Sequence, residues 1–460
     1  MYTDFMKLCG YENQELEKQR PRIDKAFDIL GIGKEDINRA EKRVRENLDI
    51  RLEGVRKLLR VWMEEFVSLP LCRDEYKKVI YYDWPFPGAM MMAVHRLSPD
   101  VYVGSIGEIM NVGMGMIFDK LSPLLEAGEK TGLGVGEAHC ALWQTHIGAI
   151  EKKMIPLPDL MVSSGWYCDQ PAEADQLLAE LYDIPTVYMD GVLDSYWGQW
   201  PDISERMVRY AGGQMEKIFR KIEEVTGYTF TEDVRKTGVR DNAKYYYNYN
   251  TLVETIGKSD PQAISQADVS LAYMISNTPI RMRDEAVDAV TTLIREAKER
   301  IDRGEGVVEK GAPRIYFGLR MAVDAAILKM VESLGLAMSV VFVDWLTPVE
   351  RTKAKSTEYS QKIMEGFFKR GPLCSASGAL DYFTEYCKEW KVDGAILCYP
   401  YSCRPYTIPP LMGKKALKDR LSIPVLVLEG DAYDTRNYSA GQLRTRVETF
   451  AELLKMRKAS

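Results

Sequence analysis

Several features that would assign a protein to a specialised class are missing from these 460 residues. No uninterrupted run of about 18 apolar residues occurs, so a membrane-spanning helix is not predicted. The N-terminal residues lack the apolar core of a signal peptide, which predicts a cytoplasmic protein. The formal net charge of −6 and the lack of biased tracts predict neither a nucleic-acid nor a membrane partner.

Closely spaced cysteines are also missing. The eight cysteines include no CxxC pair and no compact quartet, which excludes the usual signatures of a zinc ribbon or a ferredoxin cluster. Disulfides are not expected in a reducing compartment, and a single intracellular cysteine is most often buried. We therefore assign Cys9, Cys72, Cys374 and Cys387 to the core, and Cys398 to the end of a buried strand.

The order of apolar patterns predicts the fold class. Strand-like runs alternate with helical stretches, which favours βαβ units and parallel sheets. We expect an α/β protein with two doubly wound parallel-sheet lobes around a cleft. The predicted divisions are a helical N-terminal segment (1–75), a first lobe (76–200), a helical connecting span (201–310) and a second lobe (311–460). The predicted strands are KVIYYDW, DVYVGS, DLMVSS, IPTVYMD, RIYFGL, SVVFVDW, DGAILCYP and IPVLVLEGD.

A weak internal repeat links the two predicted lobes. PDLMVSSGWYCDQ (158–170) and VDGAILCYPYSCRP (392–405) each run from an aspartate through an apolar strand to a loop with a cysteine. Each is followed by a helical stretch and a strand that opens with Ile-Pro and ends in acidic residues. Ligands collect at the carboxyl ends of parallel strands, so Cys168 and Cys403 are candidate ligand-binding residues.

Cys140 is a third candidate, because it precedes a predicted helix beside the first lobe. A helix N-terminus favours the thiolate, the form that binds metal. His139 and His146 lie nearby, so a Cys/His zinc site stays open on these residues alone. For two further patterns we favour a structural role over contact with a ligand or an acyl chain: the glycine-rich loop GLGVGEA (132–138) and the aromatic cluster YYYNYN (245–250).

The chain resembles the 2-hydroxyacyl-CoA dehydratase and benzoyl-CoA reductase family, most of all alpha-type dehydratase subunits. The resemblance is carried by CALWQTHIGAIEKKMIPLPDLMVSSGWYCD (140–169), IPTVYMD (184–190), and the two segments DGAILCYPYSCRPYTIPPLM and IPVLVLEGDAYDTRNYSAGQLRTRVETFAELL within 393–454. It implies that Cys140, Cys168 and Cys403 hold a [4Fe-4S] cluster in the cleft and leave one iron without a protein thiolate. No adjacent cysteine pair occurs, which favours a single cubane over the double-cubane branch.

The resemblance also implies a radical reaction. An ATP-hydrolysing activator protein with its own [4Fe-4S] cluster supplies one electron, the acyl-CoA thioester becomes a ketyl radical anion, and elimination of water leaves an enoyl-CoA. A homologous beta-type subunit is the implied partner. Two alternatives stay open: an aromatic acyl-CoA (benzoyl-CoA) reductase subunit, and a subunit whose cluster only relays electrons.

Residues beside the cysteines are weaker candidates. Glu137 and His139 lie close to Cys140, while Ser402 and Arg404 flank Cys403. We predict His139, Ser402 and Arg404 as residues that touch the substrate or the cluster, with helix capping as the alternative. The aromatic side chains expected to keep the site dry are Trp143, Trp166, Tyr167, Tyr401 and Tyr406.

Overall fold

The computed structural model places most of the chain in helices and in two four-stranded sheets. It describes residues 2–82, 86–132, 139–165, 167–190, 198–278, 281–318, 324–343, 346, 353–370, 376–400, 402–406, 409–431, 433–434, 436 and 439–459. No helix within these residues is both long and apolar enough to cross a membrane.

The N-terminal segment is helical, as its apolar spacing predicts. Its helix α4 is buried over most of its length, because it packs against α2 on one side and against a helix of the connecting span on another. The four helices are α1 (Thr3–Leu8), α2 (Asn13–Ile29), α3 (Lys34–Asn47) and α4 (Glu53–Glu75).

The first sheet is parallel, with strand order β2-β1-β3-β4. Its inner strands are buried on both faces, as expected when helices cover a parallel sheet on both sides. The strands are β1 (Lys78–Tyr82), β2 (Val101–Ser105), β3 (Leu160–Ser164) and β4 (Thr186–Met189); the helices are α5 (Gly88–His95), α6 (Ile106–Met110) with a π-helical continuation over Asn111–Ile117, α7 (Ser122–Glu129), α8 (Ala141–Glu151) and α9 (Gln170–Tyr182).

The connecting span is also helical, as predicted. Ser204 and Thr231 cap the first two of its helices by accepting backbone N–H groups with their hydroxyls. Helix α11 (Glu232–Lys258) packs against α5 of the first lobe. It also contacts the edge strand of the second sheet that begins at Ala337, so it bridges the lobes. The helices are α10 (Glu205–Thr226), α11 (Glu232–Lys258), α12 (Gln266–Asn277) and α13 (Arg283–Asp302).

The second sheet repeats the topology of the first, with parallel order β6-β5-β7-β8. The two-lobe parallel-sheet fold is therefore confirmed, whereas the predicted domain limits stay predictions. The strands are β5 (Arg314–Gly318), β6 (Ala337–Val340), β7 (Gly394–Pro400) and β8 (Val425–Gly430); the helices are α14 (Ala325–Ser333), α15 (Tyr359–Arg370), α16 (Ala376–Glu389), α17 (Pro409–Leu421) and α18 (Ala440–Ala459), with a 3-10 turn at Arg404–Tyr406.

One predicted strand was misplaced. The run SVVFVDW predicted a strand centred beyond Val340, but β6 begins at Ala337 and ends at Val340. The chain leaves the extended conformation at Phe342, whose φ is 56°. Phe342 is still buried, because its ring stacks on Tyr273 at 4.5 Å. Burial in a turn, and not pairing in the sheet, explains the apolar residues that follow β6.

In the first sheet the strand order reverses between β1 and β3, and in the second sheet it reverses between β5 and β7. At such a switch point the loops that leave the carboxyl ends of the two strands diverge and open a crevice. The third strands are β3 and β7, which precede the loops of Cys168 and Cys403.

Candidate functional site

The loops after β3 and β7 carry one candidate cysteine each. Cys168 lies between the end of β3 and the start of α9, and it is 9% exposed. Cys403 follows β7, and its backbone N–H donates to the Pro400 carbonyl at 3.0 Å, which turns the chain directly after the strand. The repeat predicted from sequence therefore corresponds to equivalent positions in the two lobes.

Cys140 occupies the N-cap position of α8, in agreement with the predicted helix start. Helix α8 packs closely on α7, because Gly148 and Gly128 allow the two backbones to approach. At the start of α8, the Gln144 side-chain amide donates to the His139 carbonyl at 3.2 Å, which fixes the turn that leads into the helix. Trp143 is buried on the same helix.

Cys403 and Cys168 lie near enough to Cys140 to act on it electrostatically. Burial raises the pKa of Cys140 well above its usual value, and Asp431, Cys403 and Cys168 raise it further through electrostatic repulsion. Burial likewise raises the pKa of Cys168 to about 12, with Cys403 contributing. Desolvation thus opposes the thiolate that the helix N-terminus favours, and the thiolate at Cys140 stays a prediction.

The cysteines do not converge on a single point. Within the described residues, no three His, Cys, Asp or Glu side chains form a group able to hold one metal ion. The Nδ1 atom of His146 lies 3.7 Å from Asp175 Oδ1. A mononuclear Cys/His zinc site needs such convergence and is not supported. An iron-sulfur cubane binds each thiolate through a different iron, so its ligands need only surround a shared space.

Contacts between the lobes hold the two cysteine loops together. The buried Gln170 side chain donates through Nε2 to the Ser402 carbonyl at 3.2 Å, and its Oε1 accepts the Cys168 thiol at 3.9 Å. Arg404 crosses the same boundary to Asp169 at 2.6 Å and to Glu173 at 2.9 Å. These two acids raise the pKa of Arg404.

His139 is the buried basic group beside Cys140. Burial lowers the pKa of His139 to about 4, although the Glu173 carboxylate, 3.8 Å from Nδ1, opposes this shift. The imidazole is therefore neutral near pH 7. Its Nε2 atom has no hydrogen-bond partner within the part of the chain that the structure describes.

Asp431 is a site residue that had not been singled out. It follows β8, accepts the Ser402 hydroxyl, and also accepts the backbone N–H groups of Tyr433 at 2.9 Å and Asp434 at 3.0 Å. Burial raises the pKa of Asp431. The signal in the sequence was the acidic end of IPVLVLEGD, but its partner Ser402 could not be identified from sequence.

The remaining candidates divide into core residues and residues outside the described ranges. Cys9, Cys72, Cys387 and Cys398 are buried, as expected for core thiols. Tyr167 packs against the core. Glu137, Cys374, Trp166, Tyr401 and most of GLGVGEA lie outside the described residues, as does the side chain of Tyr406.

The fold and the site define a two-lobed parallel α/β protein in which the loops after the third strand of each sheet carry one cysteine each, with a further cysteine at the start of α8. Residues 106–454 match the family model of the 2-hydroxyglutaryl-CoA dehydratase D-component. The chain belongs to this family, as the resemblance implied.

Curated relatives are similar at low identity. The alpha subunit of (R)-2-hydroxyglutaryl-CoA dehydratase from Acidaminococcus fermentans is 23% identical over 65% of this chain and 61% of the relative. The alpha subunit of (R)-phenyllactyl-CoA dehydratase from Clostridium sporogenes is 23% identical over 70% of this chain and 77% of the relative. One of the subunits of benzoyl-CoA reductase from Thauera aromatica is 21% identical over 67% and 73%. The match thus spans less than two thirds of the first of these relatives.

Proposed function

We propose that this chain is a subunit of a 2-hydroxyacyl-CoA dehydratase, and that Cys140, Cys168 and Cys403 hold a [4Fe-4S] cluster. The observation that carries the proposal is the pair of contacts that hold the Cys168 and Cys403 loops together, from Gln170 to the Ser402 carbonyl and from Arg404 to Asp169, with Cys140 near both loops. The dehydratase activity is supported by the family and by the names of the relatives.

The donor set fits such a cluster. Three thiols for four irons leave one iron free to bind a substrate oxygen, as in catalytic metal sites. When bound, the cluster would supply one-electron reduction of the thioester. The raised pKa values of Cys140 and Cys168 mean that loading must release protons from these thiols.

The chain's own residues position the site. Arg404 donates to Glu173, and the Ser402 hydroxyl donates to Asp431. Both therefore act as positioning residues that hold the Cys403 loop. His139 differs, because its neutral imidazole keeps Nε2 unpaired within the described residues. His139 is therefore the best candidate to accept or hold a proton, at Nε2, during the reaction.

Two protein partners belong to the proposal. The relatives are named as subunits, which supports assembly with a homologous beta-type subunit. An ATP-hydrolysing activator that carries its own [4Fe-4S] cluster would deliver the electron. The similarity to a benzoyl-CoA reductase favours one further candidate, an aromatic acyl-CoA reductase of the same architecture.

Iron and sulfide analysis after anaerobic purification tests the cluster. We expect about four irons and four sulfides per chain, with a sharp loss in Cys140→Ser, Cys168→Ser and Cys403→Ser. Cys398→Ser is the matched control, because Cys398 is buried on β7 beside the same loop and should retain the metal. Stoichiometric zinc without sulfide, or equal loss in the control, would contradict the proposal.

A turnover assay separates the reactions. The protein with its partner subunit, activator, ATP and reductant should convert a 2-hydroxyacyl-CoA into an enoyl-CoA with no net consumption of reductant. Reduction of benzoyl-CoA to a diene, with two electrons consumed for each product, would assign the chain to the aromatic reductases. Iron that is redox-active while neither thioester reacts would leave only the electron-relay role.

A further inference from the structure

Asp431 is a buried acid at the carboxyl edge of the second sheet, where it directly follows β8 and is 3% exposed. Three uncharged donors reach its carboxylate: the Ser402 hydroxyl and the backbone N–H groups of Tyr433 and Asp434. Burial raises the pKa of Asp431, and these hydrogen bonds oppose that shift because they stabilise the ionised form. Within the described residues no lysine, arginine or histidine forms an ion pair with Asp431, so its charge is solvated by dipoles and is not neutralised.

Other acids near the cysteine loops are paired with arginines. Arg404 contacts Asp169 at 2.6 Å and Glu173 at 2.9 Å. Asp434, three residues after Asp431, contacts Arg436 at 2.8 Å. A carboxylate beside a guanidinium acts at a distance as a dipole, because the two charges largely cancel. Asp431 differs from these acids in that its negative charge extends its field to its surroundings.

The surroundings of Asp431 include two of the candidate cluster ligands. Its hydrogen-bond partner Ser402 directly precedes Cys403. Asp431 is also the group with the largest electrostatic action on Cys140, ahead of Cys403. Charges interact strongly in the weakly polarisable interior of a protein, where water does not screen them. A cluster held by Cys140 and Cys403 would therefore lie in the field of this carboxylate.

We infer that the carboxylate of Asp431 lowers the reduction potential of the cluster held by Cys140, Cys168 and Cys403. This inference rests on the proposed function. Reduction adds one electron to the cluster and breaks no bond, and a fixed negative charge nearby makes that addition less favourable. Charge and solvent exposure are among the features by which a protein sets an iron-sulfur potential. Asp431 thus makes the reduced cluster a stronger reductant, which one-electron reduction of a thioester requires.

Asp431→Asn separates the charge from the hydrogen bonds. The asparagine oxygen can accept the same two backbone N–H groups, and its amide nitrogen can donate to the Ser402 hydroxyl, so the loop should keep its shape. Redox titration of the anaerobically prepared protein with its partner subunit, followed by electron paramagnetic resonance, measures the potential. The signal to follow is the one that Cys403→Ser abolishes. At a fixed potential the ratio of reduced to oxidised cluster should rise about tenfold in Asp431→Asn, which is a rise of about 59 mV in the midpoint.

Two further variants test whether the buried charge is responsible. Asp431→Glu keeps the charge and should keep the potential close to that of the wild type. Glu429→Gln is the matched control, because Glu429 lies on the same strand but is exposed, so solvent screens its charge and the potential should not change.

Three results would overturn the inference. The first is an unchanged potential in Asp431→Asn, and the second is an equal rise in Glu429→Gln. The third is loss of iron from Asp431→Asn, since Asp431 would then hold the loop and not set the potential. Wild-type protein that binds neither iron nor sulfide would instead overturn the proposed function.

Discussion

The side chain of Gln170 joins the two lobes by donating to the backbone carbonyl of Ser402 at 3.2 Å. Gln170 is the first residue of α9, two positions after Cys168, and Ser402 precedes Cys403, so this amide helps to fix the separation of the two cysteine loops, together with the Arg404 contacts. The contact is buried, so no solvent competes for either group.

Gln170→Leu should weaken both the fold and the site. The substitution nearly preserves the side-chain volume but leaves the buried Ser402 carbonyl without this donor. The expected cost is about 1–3 kcal/mol in the free energy of unfolding. Urea titration measures that loss, and iron analysis should show reduced metal retention. Gln176→Leu is the matched control on the same helix; Gln176 is exposed, so stability should change by less than about 0.5 kcal/mol. Equal effects at the two positions would disprove the role of Gln170.

Gly148→Ala should displace the helix that begins at Cys140. A Cβ atom at Gly148 would lie 1.9 Å from the Leu124 carbonyl oxygen of α7, a backbone atom that cannot move alone. Overpacking of this kind costs about 1–3 kcal/mol or more, and the shift of α8 should also lower metal content. At Gly213, by contrast, nothing in the described chain lies within 4 Å of the added methyl group. Gly213→Ala on α10 should therefore raise stability by about 0.5–1 kcal/mol.

Asp268 should make the protein less stable as the pH rises towards neutrality. Burial raises its pKa to about 7, and its Oδ2 atom has no hydrogen-bond partner within the described residues. The unfolded chain loses this proton near pH 4, so between about pH 4 and 7 the folded state holds more protons and stability falls with pH. Asp268→Asn should keep the bond from the Asp49 N–H, 2.9 Å in the wild type, and remove this loss.

Denaturant unfolding at pH 4.5 and pH 8 measures the effect. Asp268→Asn should be more stable than the wild type by roughly 1–4 kcal/mol at pH 8, and the difference should shrink at pH 4.5. Asp302→Asn, at an exposed position at the end of α13, is the control and should change little at either pH. A stabilisation that is the same at both pH values would show that the proton of Asp268 is not responsible.

Local patterns predicted much of the architecture, since burial on both faces of a parallel strand leaves a visible apolar run. The equivalence of Cys168 and Cys403 and the helix start at Cys140 are features of this local kind. Residues whose partners lie on the other lobe could not be found in this way. Gln170 and Asp431 belong to that group, because their contacts depend on how the loops meet in the folded chain.

The shared strand order of the two sheets has a mechanical consequence. Each half of the chain contributes the loop that follows the third strand of its sheet. A ligand bound by both Cys168 and Cys403 would therefore join two similar halves. By linkage, the free energy that retains such a ligand also resists separation of the halves. Losing the ligand should uncouple their melting, so that a single cooperative unfolding transition splits into two.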